Sequence, residues 1–456
     1  MSKPIISVSG LRGIVGKSLN PILAAQYALA FAQHLKPGSI VIGRDGRETG
    51  AMFADAIAAS LMSAGFEVLD AGVCATPTLG VLVRKTGSSG GLQISASHNP
   101  PEYNGIKLFG ASGRVITANQ GQEVIESFER NEFGYVQLNR VGQKSCIQDT
   151  TESHLRLVLG TVNVERIRSR RLKVVLDSNH GAGSLLARKL LSELHCDFKI
   201  LGDCPDGQFE HVPEPTEDNL KEVATAAKDF DADVVFCQDP DADRLAIINN
   251  HGKYIGEEYT LAITMQHALA SQNSLPNNGM QDGVVVINCA TSRMSVDIAE
   301  SFGAECRISA VGEANVTQEM IDQQAIYGGE GNGGPIDPRV GYVRDSFVAM
   351  AQTMDAMSMH QASIDDLVSA IPEYSIVKSK LPLEKEKLNV ALQAVENVFN
   401  EATVNRLDGL RLDFEKAWLL IRASNTEPIV RVIAEAGSRE LATDLVAKAQ
   451  EVIQAS

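Results

Sequence analysis

Apolar, β-rich runs recur in sets of three, with helical stretches between them, over most of the chain. The first set is SIVIGRD (39–45), FEVLDAG (66–72) and GGLQISAS (90–97). The second is LKVVLDSN (172–179), FKILGD (198–203) and DVVFCQDPD (233–241). The third is GVVVINCA (283–290), ECRISAV (305–311) and AIYGGEG (325–331). Val- and Ile-rich runs joined by helices read as parallel strands buried on both faces. The third run of each set leads into a loop dense in polar residues or glycine. Open α/β sheets bind ligands beyond the carboxyl ends of their strands, so three such loops can face one cleft. The pattern predicts three related α/β units with mixed, mostly parallel sheets, spanning 1–150, 151–254 and 255–370. Polar links are expected near 140–152 and 249–259. A proline- and lysine-rich stretch at 372–386 interrupts the rhythm. Residues 371–456 then read as helix, strand, loop, strand, helix, a smaller α+β domain. The 456 residues suffice for about four domains.

The net charge is −16 and the pI about 5.1. Such a surface repels nucleic acid, so no nucleic-acid partner is expected. An anionic ligand would need a local cluster of arginines and lysines. No apolar run approaches the roughly 20 residues of a membrane span. MSKPIISVSG has no signal-peptide apolar segment, so the expectation is a cytoplasmic chain with no membrane partner. The seven cysteines are scattered, without a C-x-x-C, and read as reduced thiols rather than metal ligands.

Four stretches carry chemistry. DPDADR (239–244) follows a buried-strand pattern, and a tight loop there aims Asp239, Asp241 and Asp243 at one point. Their repulsion calls for a cation, and oxygen ligands suit a hard ion such as Mg2+. An EF-hand would need Gly and Glu where Arg244 and Asn250 stand. A dehalogenase-type phosphatase would not have an aspartate at 243. The second stretch, ISASHNPPEYNGIKLF (94–109), places Ser97 and His98 on a loop stiffened by Pro100 and Pro101. Its Asn104-Gly105 reads as a turn that sets Lys107 on the following strand. Ser97 reads as a nucleophile, with basic side chains to neutralise a phosphoryl group it carries. The glycine-rich GGEGNGG (328–334) lets the backbone approach a ligand, and Glu330 and Asn332 suit vicinal sugar hydroxyls. In IRASNTEPIVR (421–431), Arg422, Ser424, Asn425 and Thr426 crowd one loop, with Arg431 on the next strand, a phosphate clamp. Arg12 in SGLRG (9–13) is a further phosphate contact. DSNHGAGS (177–184), with His180, reads as packing.

These motifs, in this order and nearly end to end, resemble the α-D-phosphohexomutase superfamily. The stretches around Ser97, Asp239–Arg244, Glu330 and Arg422 are similar to its phosphoserine, metal, sugar and phosphate loops. The resemblance implies three related α/β domains and a C-terminal α+β domain around a central cleft. It implies a phosphorylated Ser97, with Mg2+ held by that group and by Asp239, Asp241 and Asp243. Arg244 and Arg12 would neutralise charge there. Lys107 would be a general acid or base, with His98 a further candidate. Glu330 and Asn332 would read sugar hydroxyls, while Arg422, Ser424, Asn425, Thr426 and Arg431 would grip the non-reacting phosphate. One departure stands out. Many members carry G-E-x-S-G-H in the sugar loop, whereas Asn332 and Gly334 fill the Ser and His places here. The Asn-Gly-Gly form resembles the archaeal-type phosphoglucosamine mutases, often also labelled phosphomannomutases.

The implied reaction interconverts hexosamine 6-phosphate and 1-phosphate through a bisphosphorylated sugar, which also serves as activator. Mannose or glucose phosphates are the alternative substrates. The alternatives to a mutase are a non-catalytic sugar-phosphate-binding regulator and a simple phosphatase. The chain is expected to work as a monomer or homodimer.

Overall fold

The computed structural model describes residues 4–7, 10–273, 283–423 and 429–456. These form four sheets. The first runs, in spatial order, Ile5–Ser7, Gly10–Ile14, Tyr103–Gly110, Gly90–Ile94, Ser39–Arg44, Glu67–Val73 and Lys144–Cys146. The second runs Leu245–Asn249, Val234–Gln238, Lys173–Asp177 and Asp197–Leu201, and the third Glu305–Ser309, Val284–Asn288, Tyr327–Glu330 and Gly334–Ile336. The fourth is antiparallel: Ser375–Pro382, Ile429–Ala436, Ala417–Ala423, Leu410–Asp413 and Thr403–Asn405. All nine predicted β-rich runs carry strands, and within each set the three strands pair in parallel.

The sequence pattern misses the antiparallel strand that follows each motif in the second and third units. Gly90–Ile94 pairs antiparallel with Tyr103–Gly110, Val234–Gln238 with Leu245–Asn249, and Tyr327–Glu330 with Gly334–Ile336. The chemistry-bearing loop of each of these three units is therefore a hairpin connection, held at both ends by ladder hydrogen bonds. The later strands are short, and one contains Pro335, so their pattern is weak.

Three local expectations change. Asn104-Gly105 is not a turn. It lies inside a strand, opposite Gly13 and Arg12, and the turn closes earlier, where the Tyr103 N–H donates to the Pro100 carbonyl. Glycine is needed at 105 because a Cβ would sit 2.7 Å from the Ser95 carbonyl oxygen and 2.8 Å from that of Leu11. The link expected at 140–152 contains the edge strand Lys144–Cys146, parallel to Glu67–Val73. Most of 372–386 is the edge strand Ser375–Pro382. Its lysines and terminal proline are what an unpaired sheet edge tolerates.

The cores are unequal. The second and third units share one apolar interior, which includes Leu176, Phe236, Val285 and Phe347. The first unit has its own, around Phe31, Ile57 and Leu92, and so does the fourth, around Leu419, Val432 and Ile453. The helix Ser346–His360 runs through the shared interior and is buried from 346 to 358. A helix apolar on all sides belongs in a core, and the one acid within this helix is fully partnered. Asp355 accepts from Arg166 Nε and Nη2 at 2.8 Å each, from the Asn163 N–H at 3.0 Å and, across 2.9 Å, meets His267 Nε2. All seven cysteines are free thiols. No helix among the described residues is long and apolar enough to cross a membrane.

Burial pushes the Asp355 carboxyl up, but His267, Arg166 and the Asn163 N–H more than offset it and hold the pKa at about 2. A depressed folded-state pKa gives stability that is present above the unfolded value of 3.8 and is lost as pH falls through about 2. Asp355→Asn should therefore cost about 3 kcal/mol at pH 7, read as a drop of several degrees in the thermal midpoint. The gap to the native chain should close as the melts are repeated from about pH 4 downward.

Candidate active site

Ser97 stands in the first hairpin with φ +49°, a left-handed conformation costly for a side-chain-bearing residue. The loop is held there by hydrogen bonds from Arg47, which is 2 % exposed. Arg47 Nη2 donates to the Ser97 and Asn99 carbonyls at 2.7 and 2.6 Å, and Nη1 to those of Pro100 and Tyr103 at 2.7 and 3.0 Å. Its Nε pairs with Asp45 Oδ2 at 3.2 Å. The same carboxylate oxygen accepts from Ser95 Oγ, which in turn accepts from the Ser97 N–H. Phe209, from the second unit, covers the Arg47 guanidinium at 5.0 Å. Arg47 lies in GRDGRETG (43–50), just past a predicted strand. That position is the only signal the sequence carries for it.

The second hairpin brings Asp239, Asp241 and Asp243 together. Each is fully buried, and ligand oxygens from all three lie within 4.8 Å of one another. Ala242 makes this possible by taking φ +55° between the last two. Ser97 Oγ donates to Asp239 Oδ2 at 2.7 Å, so nucleophile and aspartates meet across a domain boundary. Thr76 adds to the joint. Its N–H donates to the Asp241 carbonyl and its Oγ1 to Asp241 Oδ2.

Three cations answer these carboxylates. Lys107 Nζ bridges Asp241 Oδ2 at 2.6 Å and Asp243 Oδ2 at 2.9 Å. Arg244 Nε and Nη2 each reach Asp239 Oδ2 at 3.2 Å, and Nη2 lies 3.5 Å from Ser97 Oγ. Arg344 Nη2 reaches Asp243 Oδ2 at 2.7 Å. Burial raises all three carboxyl pKa values. At Asp243 it is overcome by Arg344, Lys107 and Arg244, and at Asp241 by Lys107 and Thr76, so both end below the ordinary value. Asp239, repelled by Asp243 and Asp241 and answered by one cation, Arg244, and the Ser97 hydroxyl, stays above it. Burial depresses Lys107, but Asp241 and Asp243 outweigh it and hold the ammonium charged. Oδ1 of Asp241 and Oδ1 of Asp243 are buried and without a hydrogen-bond partner. Orphaned buried carboxylate oxygens beside a third carboxylate fit a hard divalent cation.

A cavity of about 350 Å³ opens above the trio, lined in part by Arg12, Ser97, His98, Lys107, Arg244 and Arg344. This is the local basic cluster that an acidic chain needs to hold an anion. Arg12 Nη1 donates to Asn99 Oδ1 at 2.8 Å. His98 Nδ1 lies 3.3 Å from Ser97 Oγ. Burial, then Arg244 and Arg12, push the imidazole pKa down to about 3, so the ring is neutral at pH 7.

Glu330 and Asn332, from the third hairpin, line the same cavity. Glu330 Oε1 accepts from Asn288 Nδ2 at 2.7 Å and from the Gly312 N–H at 3.0 Å, and Oε2 accepts from Arg344 Nη1 at 2.7 Å. Asn332 Oδ1 is buried and unpartnered. Arg344, Glu313 and Asn288 are contributors that the sequence reading did not single out.

Arg422 and Arg431 are not among the residues lining this cavity. They face each other across the fourth sheet, with Arg431 exposed. Arg422 Nε pairs with Asp408 Oδ2 at 3.0 Å. That oxygen also accepts from the N–H of Val311, which lines the cavity, so Arg422 stands one step from the rim. Ser424, Asn425 and Thr426 lie outside the described residues. The 177–184 stretch is packing, as expected: a Cβ at Gly181 would meet Pro240, and one at Gly183 would meet Gln238 Oε1.

Comparison with known proteins agrees with this arrangement. Sequence models of the phosphoglucomutase/phosphomannomutase family match in order: α/β/α domain I at residues 4–135, domain II at 152–252, domain III at 257–374 and the C-terminal domain at 377–452. A phosphoglucomutase/phosphomannomutase of Thermococcus kodakarensis is 33% identical over 442 residues, covering 95% of each chain. A probable phosphoglucosamine mutase of Methanosarcina acetivorans is 33% identical, covering 98% of each. The crystal structure of a phosphoglucomutase/phosphomannomutase family protein from Burkholderia thailandensis superposes with a TM-score of 0.84 at 26% identity, covering 99% of this chain and 98% of that one. The chain belongs to the phosphoglucomutase/phosphomannomutase family of α-D-phosphohexomutases and is a phosphosugar isomerase.

Proposed function

We propose that the enzyme interconverts the 6- and 1-phosphates of glucosamine through a phosphoryl group carried on Ser97. The observation that carries this reading is a single cavity lined by Ser97 and four cationic side chains, with a buried carboxylate trio directly behind Ser97, Lys107, Arg244 and Arg344. In the first half-reaction a sugar hydroxyl oxygen bonds to the phosphorus as the bond from phosphorus to Ser97 Oγ breaks. The products are the sugar bisphosphate and free Ser97. The bisphosphate turns over in the cleft, and the other phosphoryl group returns to Ser97. A hexose bisphosphate supplied from outside charges Ser97 by the same step. In each half-reaction a proton moves from the attacking oxygen to the departing one. Lys107, held cationic, fits the donor side. His98, 3.3 Å from Ser97 Oγ, is the second candidate for moving the proton at the serine oxygen.

Asp239, Asp241, Asp243 and the phosphoserine would hold Mg2+. Such an ion, when bound, neutralises charge on the phosphoryl group. Arg12 and Arg244 bind the same group from the cavity side. Glu330 and Asn332 read the sugar hydroxyls, and Arg422 and Arg431, with Ser424, Asn425 and Thr426, hold the distal phosphate. Arg47 acts on the geometry, since its four carbonyl contacts aim the Ser97 loop.

The names of the archaeal relatives support glucosamine first, with the Methanosarcina relative a probable phosphoglucosamine mutase. The Thermococcus relative, a phosphoglucomutase/phosphomannomutase, makes glucose and mannose phosphates the second reading. Parallel kcat/KM values on the three 6-phosphates, with a bisphosphate primer, test the choice. The highest value is expected for glucosamine, and a higher one for mannose or glucose would replace it.

Ser97→Ala should abolish isomerisation and remove all phosphate transferred to the chain from a hexose bisphosphate, followed by intact-mass spectrometry. Phosphorylation persisting elsewhere, with turnover retained, would defeat the mechanism. Arg47→Lys should lower kcat by about 10²-fold with little change in KM, because a misplaced reacting group costs rate more than binding. Asp241→Asn should raise the Mg2+ concentration needed for half-maximal activity by at least about tenfold, measured by titrating the metal-stripped enzyme.

A further inference from the structure

Gly334 and Arg344 are built as one unit. A Cβ added to Gly334 would lie 2.4 Å from Arg344 Cδ, 2.9 Å from Cγ and 3.1 Å from Cβ. Gly334 is not among the positive-φ residues, so its backbone does not require glycine. The missing side chain provides room, and the stem of Arg344 fills it. From that seat the guanidinium reaches Glu330 with Nη1 and Asp243 with Nη2, each at 2.7 Å. The seat is fixed on both sides. The Arg344 N–H donates to Glu313 Oε1 at 2.8 Å. The next residue, Asp345, donates its N–H to the Pro335 carbonyl and caps the helix Ser346–His360 through the Phe347 and Val348 N–H groups.

We infer that residues 334 and 344 form a single positioning pair. Glycine at 334 admits Arg344, and Arg344 orients Glu330 for the sugar while tying it to the aspartate hairpin. Two donors already fix Glu330 Oε1. Arg344 fixes Oε2, which leaves the carboxylate one orientation over the cavity. Without the guanidinium, Asp243 would keep Lys107 and Arg244 as counter-charges, while Glu330 and Glu313 would lose the cation that each now contacts. Burial already pushes the Glu313 carboxyl up. The inference rests on the reading of this cavity as a sugar-phosphate site.

The test compares four chains: native, Gly334→Ala, Arg344→Ala and the double variant. Each is titrated calorimetrically with glucosamine 6-phosphate and assayed for KM and kcat. Each single variant should weaken binding and raise KM by roughly tenfold or more, since removing one partner of a buried charge pair leaves the others uncompensated. The decisive expectation is non-additivity. The double variant should bind within about twofold of Arg344→Ala, because the added methyl has no arginine left to displace. A silent Gly334→Ala, or a double variant showing the product of both losses, overturns the pairing. Native enzyme that neither binds nor isomerises any of the three sugar phosphates overturns the functional reading and the pairing with it. A chain that binds normally but shows multiplicative losses overturns the pairing alone. Should Gly334→Ala fail to fold, guanidinium titrated into Arg344→Ala decides the matter. Saturable recovery of KM is expected, and none overturns the inference.

Discussion

Three carboxylates shut away from solvent within 4.8 Å of one another are the constraint from which the rest of the architecture follows. Burying one unpaired carboxylate is already expensive, and three repel. The charges that make the trio tolerable come from different parts of the chain. Lys107 belongs to the first unit, Arg244 to the second and Arg344 to the third, and the first unit adds a neutral donor, the Thr76 hydroxyl. The electrostatic problem is solved only when the three units come together, so the geometry of the cleft is set by its charge balance. The solution is incomplete, since one oxygen each of Asp241 and Asp243 has no hydrogen-bond partner. Unsatisfied carboxylate oxygens beneath a rim of arginines are a seat for a divalent ion and, above it, a phosphoryl group. The −16 of the whole chain is thus no bar to an anionic substrate.

The second organising device is the repeated hairpin. In all three α/β units a parallel central strand turns into an antiparallel neighbour, and the turn carries the chemistry. Each turn also contains one left-handed residue, at Ser97, Ala242 and Gly333. Two of these are not glycine, and surrounding contacts hold them in place. Four carbonyl contacts from Arg47 do this for Ser97, so the nucleophile sits in its strained pose before any ligand arrives. That is the structural basis for preorganisation in group transfer.

Much of this was legible in the sequence. The β-rich runs were legible because the central strands, such as Lys173–Asp177, Val234–Gln238 and Val284–Asn288, are buried and rich in Val and Ile. Ser97 and the aspartates stood out because alternating charges directly after such strands are rare without a purpose. What stayed hidden was set by tertiary contact. Arg47 and Arg344 look like ordinary surface arginines in sequence, and only the fold reveals that the first is buried, the second largely enclosed, and both aimed. The antiparallel strands Leu245–Asn249 and Gly334–Ile336 are too short to show a period. Asn104-Gly105 has the composition of a turn, but its glycine serves a close approach of backbones within a sheet. The strand Ser375–Pro382 resembles a linker because sheet edges and linkers favour the same lysines and prolines.

The shared interior of the second and third units has a consequence for how such a chain can be remodelled over evolutionary time. The first and last units each enclose an apolar centre of their own, so a counterpart from another lineage need only match a narrower seam, such as Trp418 and Leu420 against Cys289 or Lys107 against the aspartates. The middle two cannot be inherited separately, because a crossover between them would set side chains from one ancestor against a half-core shaped by another. New specificities in this architecture should therefore arise by swapping the outer modules or by editing single turns, while the inner pair descends as one block.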